Sequence, residues 1–357
     1  MKIGLLVYDI GLTGGAEKVA EQLCLHLSGY HNSCLISVFD STNICDSKQY
    51  ETFVLSQRQR SITKSFRMLT KKLRDYIRNY DIDILVAITA GVVTLANAAC
   101  RGQNTAVIYA EHSNLENKTY GIKHQLRQRL GAAHSDAVVT LTERDRRNFI
   151  KQFDISPNKV RAIPNWHDPS NIDGSYNPDS KRIITVGRLE TVKGYNYLLD
   201  VAKKIKPSCQ GWSWDIYGDG SLKKTLIQEI KTSELDSFIE LKGCVDNMPE
   251  VYPDYAMFVM TSVYEGFPLV LLEAQAAGLP VVSFDCPTGP AEIIDDGTNG
   301  LVIPSYDTSC MASAIVSLVK DREERIRLAS NSKANLKRYS MDAIIPMWLD
   351  LFNAVHE

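Results

Sequence analysis

Short apolar runs recur along the whole chain, and the stretches between them carry either helical spacing or turn residues. In the first half the runs are Lys2 to Tyr8, Cys34 to Phe39, Ile82 to Ile88, Ala106 to Tyr109, Ala137 to Leu141 and Val160 to Ile163. They are apolar at consecutive rather than alternate positions, as in strands covered on both faces, and strands alternating with helices build parallel sheets from βαβ units. Residues 164–181 (PNWHDPSNIDGSYNPDSK) break the rhythm, because Pro, Asn, Asp, Gly and Ser crowd together there as in a linker. The alternation restarts with Ile183 to Val186, Trp214 to Tyr217, Ile239 to Leu241, Met257 to Met260, Val281 to Phe284 and Leu301 to Ile303. The pattern predicts two doubly wound, Rossmann-like parallel-sheet α/β domains, residues 1–168 and 169–340. Open parallel sheets bind ligands outside the carboxyl ends of their strands, so the expected active site is a cleft between the domains. A last helix is predicted over Met341 to His356 from Ile344, Ile345, Trp348, Leu349 and Phe352.

Composition narrows the function classes. A length of 357 residues with 44% hydrophobic content suits two cores and excludes a disordered, collagen-like or disulfide-scaffold chain. Forty Lys and Arg against 42 Asp and Glu leave a net charge of -2, so a nucleic-acid partner is not expected. The balance is uneven, since residues 1–168 hold 22 basic and 16 acidic side chains (+6) and the second half stands at -8. No apolar run approaches the ~18 residues of a membrane span, and Asp9 interrupts the first run too early for a signal peptide. Eight scattered cysteines with no C-x-x-C pair fit reduced thiols rather than disulfides or structural zinc. These features point to the cytoplasm, where the sequon at Asn117 is a chance match.

Candidate chemistry gathers behind three strands. The first run leads through Asp9-Ile10-Gly11-Leu12-Thr13-Gly14-Gly15 into a helix with Val19, Leu23 and Leu27 inward. Adjacent glycines admit a ligand close to the backbone, and the next helix N-terminus suits a phosphate, so Gly14 and Gly15 are anion-site candidates. Alone the pair is equally a tight turn, and its spacing is neither a dinucleotide fingerprint nor a P-loop. Behind Val186 come Gly187-Arg188 and then Lys193, a planar fork and a point charge that would grip a diphosphate or serve as plain surface charges. The third segment is Tyr264-Glu265-Gly266-Phe267-Pro268-Leu269-Val270-Leu271-Leu272-Glu273. Here Glu265 lies in a loop after a strand, Pro268 in a first helical turn and Glu273 more than a turn deeper. Carboxylates so placed accept hydrogen bonds from sugar hydroxyls; the plainer reading makes Glu265 an N-cap and Glu273 a surface residue.

Gly14-Gly15-Ala16-Glu17, Gly187-Arg188 with Lys193-Gly194, Tyr217-Gly218-Asp219-Gly220, and the pair Glu265 and Glu273 around Gly-Phe-Pro-Leu together resemble glycosyltransferase family 4 (group 1). That family comprises retaining transferases of the GT-B fold, and the resemblance runs over essentially the whole chain in the right order. It implies a nucleotide-sugar donor, with a UDP-sugar favoured, and neither a metal nor another cofactor. By the same resemblance Arg188 and Lys193 hold the donor diphosphate, and Gly14 and Gly15 approach it from the first domain. Glu273 accepts from the ribose diol, and Glu265 contacts the transferred sugar with the amides of Phe267, Leu269 and Val270 nearby. Gly243 and Cys244 meet the base through backbone atoms, and His112 takes the place of a histidine facing the donor sugar. Asn165 matches the family's turn before the linker, but Trp166-His167-Asp168 replace the usual Gly-Val-Asp, which leaves Trp166 and His167 without an assigned role. The family's last helix crosses back to the first domain, which assigns residues 341–357 there. Asp81-Ile82-Asp83 precedes its strand, at the wrong end for this site, and is not read as a metal pair.

The acceptor side is less defined. Residues 57–78 hold eight basic residues and one acidic, with Ile62, Phe66, Leu69, Leu73 and Ile77 on one helical face and Lys64, Arg67, Lys71, Arg74 and Arg78 opposite. Such a stripe either is merely solvated or holds a protein against anionic headgroups without inserting. With the +6 first half, it suggests a protein peripherally bound to the inner face of the cell membrane. The acceptor it favours is a polyprenyl-diphosphate-linked saccharide, as in bacterial surface polysaccharide or glycan assembly. Pro287-Thr288-Gly289-Pro290 is the stretch that would choose the sugar. The alternatives are a non-catalytic nucleotide-sugar or glycan-binding component of a polysaccharide assembly complex, a GT-B nucleotide-sugar epimerase, or a phosphorylase, for which the chain is short.

Overall fold

A computed structural model describes residues 1–12, 15–41, 50–57, 61–117, 121–167 and 176–356. The chain divides into two compact units, Met1–Asn165 with Ile344–Glu357, and Trp166–Ala343. The first contains β1 (Lys2–Asp9), α1 (Gly15–Leu27), β2 (Asn32–Phe39), β3 (Glu51–Ser56), α2 (Ile62–Asn79), β4 (Ile84–Ile88) and α3 (Ala90–Cys100). It continues with β5 (Ala106–Glu111), α4 (Ile122–His134), β6 (Ala137–Thr140), α5 (Glu143–Phe153) and β7 (Val160–Ala162). The second holds β8 (Arg182–Val186), α6 (Tyr195–Ile205), β9 (Ser213–Tyr217), α7 (Lys223–Thr232), β10 (Ile239–Gly243), α8 (Met248–Val251) and β11 (Met257–Met260). After these come α9 (Leu269–Ala276), β12 (Val281–Phe284), α10 (Pro290–Ile293), β13 (Gly300–Ile303), α11 (Thr308–Lys320) and α12 (Arg322–Asn335). Helix α13 (Met341–His356) then carries the chain back to the first unit.

Both sheets are parallel throughout and wound alike, in the orders β3-β2-β1-β4-β5-β6-β7 and β10-β9-β8-β11-β12-β13. Every residue of β4 and of β11 is buried, as strands with helices on both faces must be. The apolar runs read from the sequence all become strands. Strand β3 is the addition: its ETFVLS pattern is mostly half-exposed because it lies at the sheet edge, with a neighbour on one side only. In each sheet the winding reverses beside the first strand, between β1 and β4 and between β8 and β11. A crevice opens at such a switch point because the flanking connections run to opposite faces.

Helices are stapled to these sheets by apolar faces and ended by local chemistry. Helix α1 buries Val19, Ala20, Leu23, Cys24 and Leu27. At α5 the Thr142 hydroxyl accepts the Asp145 N–H, and at α11 the Asp307 carboxylate accepts from Ser309 and Cys310. Helix α13 buries Ile344, Ile345, Trp348, Leu351 and Phe352, with the Trp348 and Phe352 rings 5.7 Å apart. Leu351, rather than Leu349, completes that stripe.

The basic face of α2 needs one correction. Lys64, Arg67, Lys71 and Arg78 are exposed, but Arg74 turns inward and donates to the carbonyls of Ala98 (2.7 Å) and Ala99 (3.1 Å). Those are open carbonyls of the last turn of α3, where a guanidinium is favoured by the helix dipole. Arg58 and Arg60 lie outside the described residues. Asp83 also has a structural task, accepting the Lys2 N–H at 2.7 Å.

Candidate functional site

In the second unit the sequence-selected residues converge on the switch point between β8 and β11. Strand β8 leads into Gly187, whose N–H bonds Tyr217 O (2.9 Å) and whose carbonyl accepts from the Tyr195 hydroxyl (2.9 Å). A Cβ on Gly218 would sit 2.0 Å from Gly187 O, so the loop after β9 presses on the loop after β8 and only glycine fits between. Arg188 is exposed, and its side chain makes no hydrogen bond or ion pair among the described residues. Gly194 has φ +66°, and a Cβ there would meet Thr261 O at 2.1 Å. The N–H of Val263 bonds Val192 O at 2.8 Å, so the loops after β8 and β11 are held together across the switch point.

This contact brings Lys193 and Glu265 together. The Lys193 ammonium lies 2.6 Å from Glu265 Oε1, with side-chain exposures of 19% and 11%. Ser262 donates to the same oxygen at 2.6 Å, and the Thr288 hydroxyl donates to the Glu265 carbonyl at 2.6 Å. Thr288 has φ +65°, an uncommon conformation for a β-branched residue, and Gly289 follows at +96°. The stretch expected to choose the sugar thus also fixes the Glu265 backbone. Ser262 did not stand out in sequence, and Thr288 did so only within the stretch that would choose the sugar; only the topology brings residue 288 beside residue 265.

Helix α9 begins at Leu269 rather than at Pro268, which is its N-cap. The Leu269 and Val270 N–H groups therefore open the helix and have no partner within it. Phe267 is buried and sets its ring against Tyr339, with centroids 5.4 Å apart. Glu273 lies in the body of α9, half-buried, and its Oε2 accepts from the Tyr252 hydroxyl at 2.9 Å. Tyr252 is fully buried; burial and the adjacent carboxylate push its hydroxyl well above its ordinary pKa, so it remains a donor. Nothing in its sequence neighbourhood signals this role. Gly243 ends β10 at φ +74° and accepts the Gly218 N–H at 2.8 Å, and Cys244 is exposed beside it.

The remaining candidates belong to the first unit. Gly15 opens α1 at the carboxyl end of β1, and a Cβ there would meet nothing within 4 Å; Gly14 lies outside the described residues. Behind it Asp9 is fully buried, accepting from the Gly11 N–H (2.9 Å) and the Ser41 N–H (3.0 Å). His112 follows β5, and burial pushes its imidazole down to about 4, so it is neutral at physiological pH. Its loop is anchored by Glu111, a buried carboxylate that accepts from Tyr109, Gln128 (3.0 Å), and the Ser113 N–H (2.8 Å) and hydroxyl (2.7 Å). Asn165 is buried at the end of that unit's first piece, whereas Trp166 and His167 open the second unit, where Trp166 is buried and the His167 N–H bonds Tyr339 O at 3.0 Å.

A family model described as "Glycosyl transferases group 1" matches residues 171–335, and one described as "Glycosyltransferase Family 4" matches residues 13–171. The amylovoran biosynthesis glycosyltransferase AmsD of Erwinia amylovora is 27% identical over 99% of both chains. The fold resembles that of TarM from S. aureus, solved with UDP and alpha-GlcNAc-glycerol, at a TM-score of 0.86 and 17% identity over 99% of each chain. It also resembles HepE of Anabaena with UDP-glucose bound, at a TM-score of 0.85 and 19% identity over 99% of this chain and 100% of that one. The two Rossmann-like units are those of the GT-B fold.

Proposed function

As a member of the glycosyl transferases group 1 and family 4, whose models together match residues 13–335, the chain is a glycosyltransferase, and we propose that it moves a sugar from a UDP-sugar, with retention of configuration, to a lipid-linked saccharide during bacterial surface polysaccharide assembly. The observation that carries this reading is the Lys193–Glu265 pair at the switch point, beside the exposed Arg188 and the open N–H groups of α9. Breaking the bond between the anomeric carbon and the diphosphate oxygen leaves negative charge on UDP. Arg188, the remaining protons of Lys193 and the Leu269 and Val270 amides are the groups to receive it, with no metal required. Glu273, steadied by the Tyr252 hydroxyl, accepts from the ribose diol. Glu265 and neutral His112 take the transferred sugar, and Gly243 and Cys244 the base. The first unit takes the acceptor, and its Gly14 and Gly15 approach the donor diphosphate.

Support for the donor comes from UDP-glucose bound to a protein of the same fold, and for retention from alpha-GlcNAc-glycerol beside UDP in another. The polysaccharide setting rests on the amylovoran enzyme, and the lipid-linked acceptor on the cationic face of α2, which we assign to the cytoplasmic membrane surface. Among the described residues no helix is long and apolar enough to cross a membrane. The test is UDP release from a panel of nucleotide sugars in the presence of a chelator. Arg188→Ala is expected to lower kcat about 100- to 1,000-fold without changing Tm. Near-normal transfer by that variant, or activity that vanishes with the chelator and returns with a divalent cation, would overturn the assignment.

A further inference from the structure

Helix α4, IKHQLRQRLGAAH, contains no Asp or Glu. Its inward side is small and polar, Gln128, Gly131 and Ala132; a Cβ on Gly131 would meet Val93 Cγ1 at 2.8 Å and Tyr109 Cδ1 at 2.9 Å, so the helix sits tightly on α3 and β5. Its outward side carries Ile122, Leu126 and Leu130, which are 84%, 54% and 39% exposed. Residues four apart lie one above the other on a helix, so these three form a continuous aliphatic ridge rather than scattered surface residues. Lys123, Arg127 and Arg129 flank the ridge, and none of them forms an ion pair among the described residues.

The ridge belongs to a larger cationic surface. Helix α2 packs on α3 and α3 on α4, and right-handed crossovers in one direction place all three on one face of the sheet. From α2 the exposed Lys64, Arg67 and Lys71, with exposed Met68 among them, add to that face. Two copies meeting ridge to ridge would bring Lys123, Arg127 and Arg129 of each against the other with no acid on α4 to neutralise them. An anionic bilayer offers the complement, phosphate at the surface and hydrocarbon about 5–10 Å beneath it.

We propose that Ile122, Leu126 and Leu130 insert into the interface of an anionic bilayer while Lys123, Arg127 and Arg129 engage its headgroups. This rests on the membrane reading given above, in which α2 acts by charge alone, and adds to it an apolar anchor on a different helix. Binding should then have a part that salt removes and a part that it does not.

The full chain is sedimented with phosphatidylglycerol-containing vesicles and with pure phosphatidylcholine vesicles, at low and high ionic strength. Replacing Ile122, Leu126 and Leu130 together by Ser is expected to weaken binding to the anionic vesicles about tenfold or more and to abolish the salt-resistant part, with Tm unchanged. Lys64→Glu with Arg67→Glu and Lys71→Glu should reduce the salt-sensitive part and leave the salt-resistant part. Leu126→Trp should show blue-shifted emission on anionic vesicles, quenched by lipids brominated along their acyl chains. A serine variant that binds like the parent, or unshifted emission from the Leu126→Trp variant, overturns insertion; if the α2 variant has at the same time lost salt-sensitive binding, charge-only binding through α2 survives. No binding by the parent chain overturns both. A parent chain that is dimeric in solution and becomes monomeric with the serine substitutions assigns the ridge to a second copy and overturns the proposal.

Discussion

At the scale of single residues, the central element is a lysine whose position depends on a carboxylate. Glu265 holds Lys193 at 2.6 Å in a half-buried setting, so either partner alone is left costly to bury. Glu265→Gln keeps the shape but removes the charge, and it should lower kcat by at least about 100-fold with a small change in donor affinity, read from kcat and KM separately. Tyr252→Phe should do the reverse: losing a hydrogen bond to a carboxylate should raise the donor KM roughly tenfold and leave kcat close to normal. His112 gives a pH prediction. Its folded pKa of about 4 lies below the ordinary 6.5, so as pH falls through that window the unfolded chain takes up a proton that the folded chain refuses. Stability must therefore decline between about pH 6.5 and 4, and His112→Gln should lose less Tm than the parent between neutral and mildly acidic buffer. Arg188, Lys193, Glu265 and Glu273 were legible in the sequence because each belongs to a short motif after a strand. Tyr252 was not, and the contact of Thr288 with Glu265 was not, since each reaches its glutamate through chain paths that only the folded sheet makes short.

At the scale of elements, the site depends on two loops whose backbones are in close contact. Gly194 sits against Thr261 O, and any side chain there must separate the loops after β8 and β11. Gly194→Ala should lower Tm by several degrees, through both the positive φ and the clash, and should cost more activity than the stability loss explains at a temperature where the variant remains folded. Circular dichroism melting beside a transfer assay separates the two effects. The strands themselves were readable because burial on both faces writes an unbroken apolar run. Strand β3 escaped because an edge strand with one neighbour is under no such pressure, and Arg74 misled because amphipathic spacing says which way a side chain starts but not where a long one ends.

At the scale of the whole molecule, two cores share one chain, and the first is made from two separated pieces of it. Trp348 is 3% exposed and packs within the first unit, so Trp348→Ala should destabilise that unit by about 3–5 kcal/mol and leave the second largely untouched. Amide hydrogen exchange, read by peptide, would show faster exchange in β1 to β7 than in β8 to β13; a uniform change would contradict this partition. The split also sets an order of events on the ribosome. Strands β1 to β7 emerge first, but Ile344, Trp348 and Phe352 follow only after all of Trp166–Ala343 has been translated. The second unit, continuous in sequence, can close while the first still waits for its last helix. During synthesis the nascent chain therefore carries an open apolar seam on its earliest-made part, a natural docking point for chaperones until translation reaches α13.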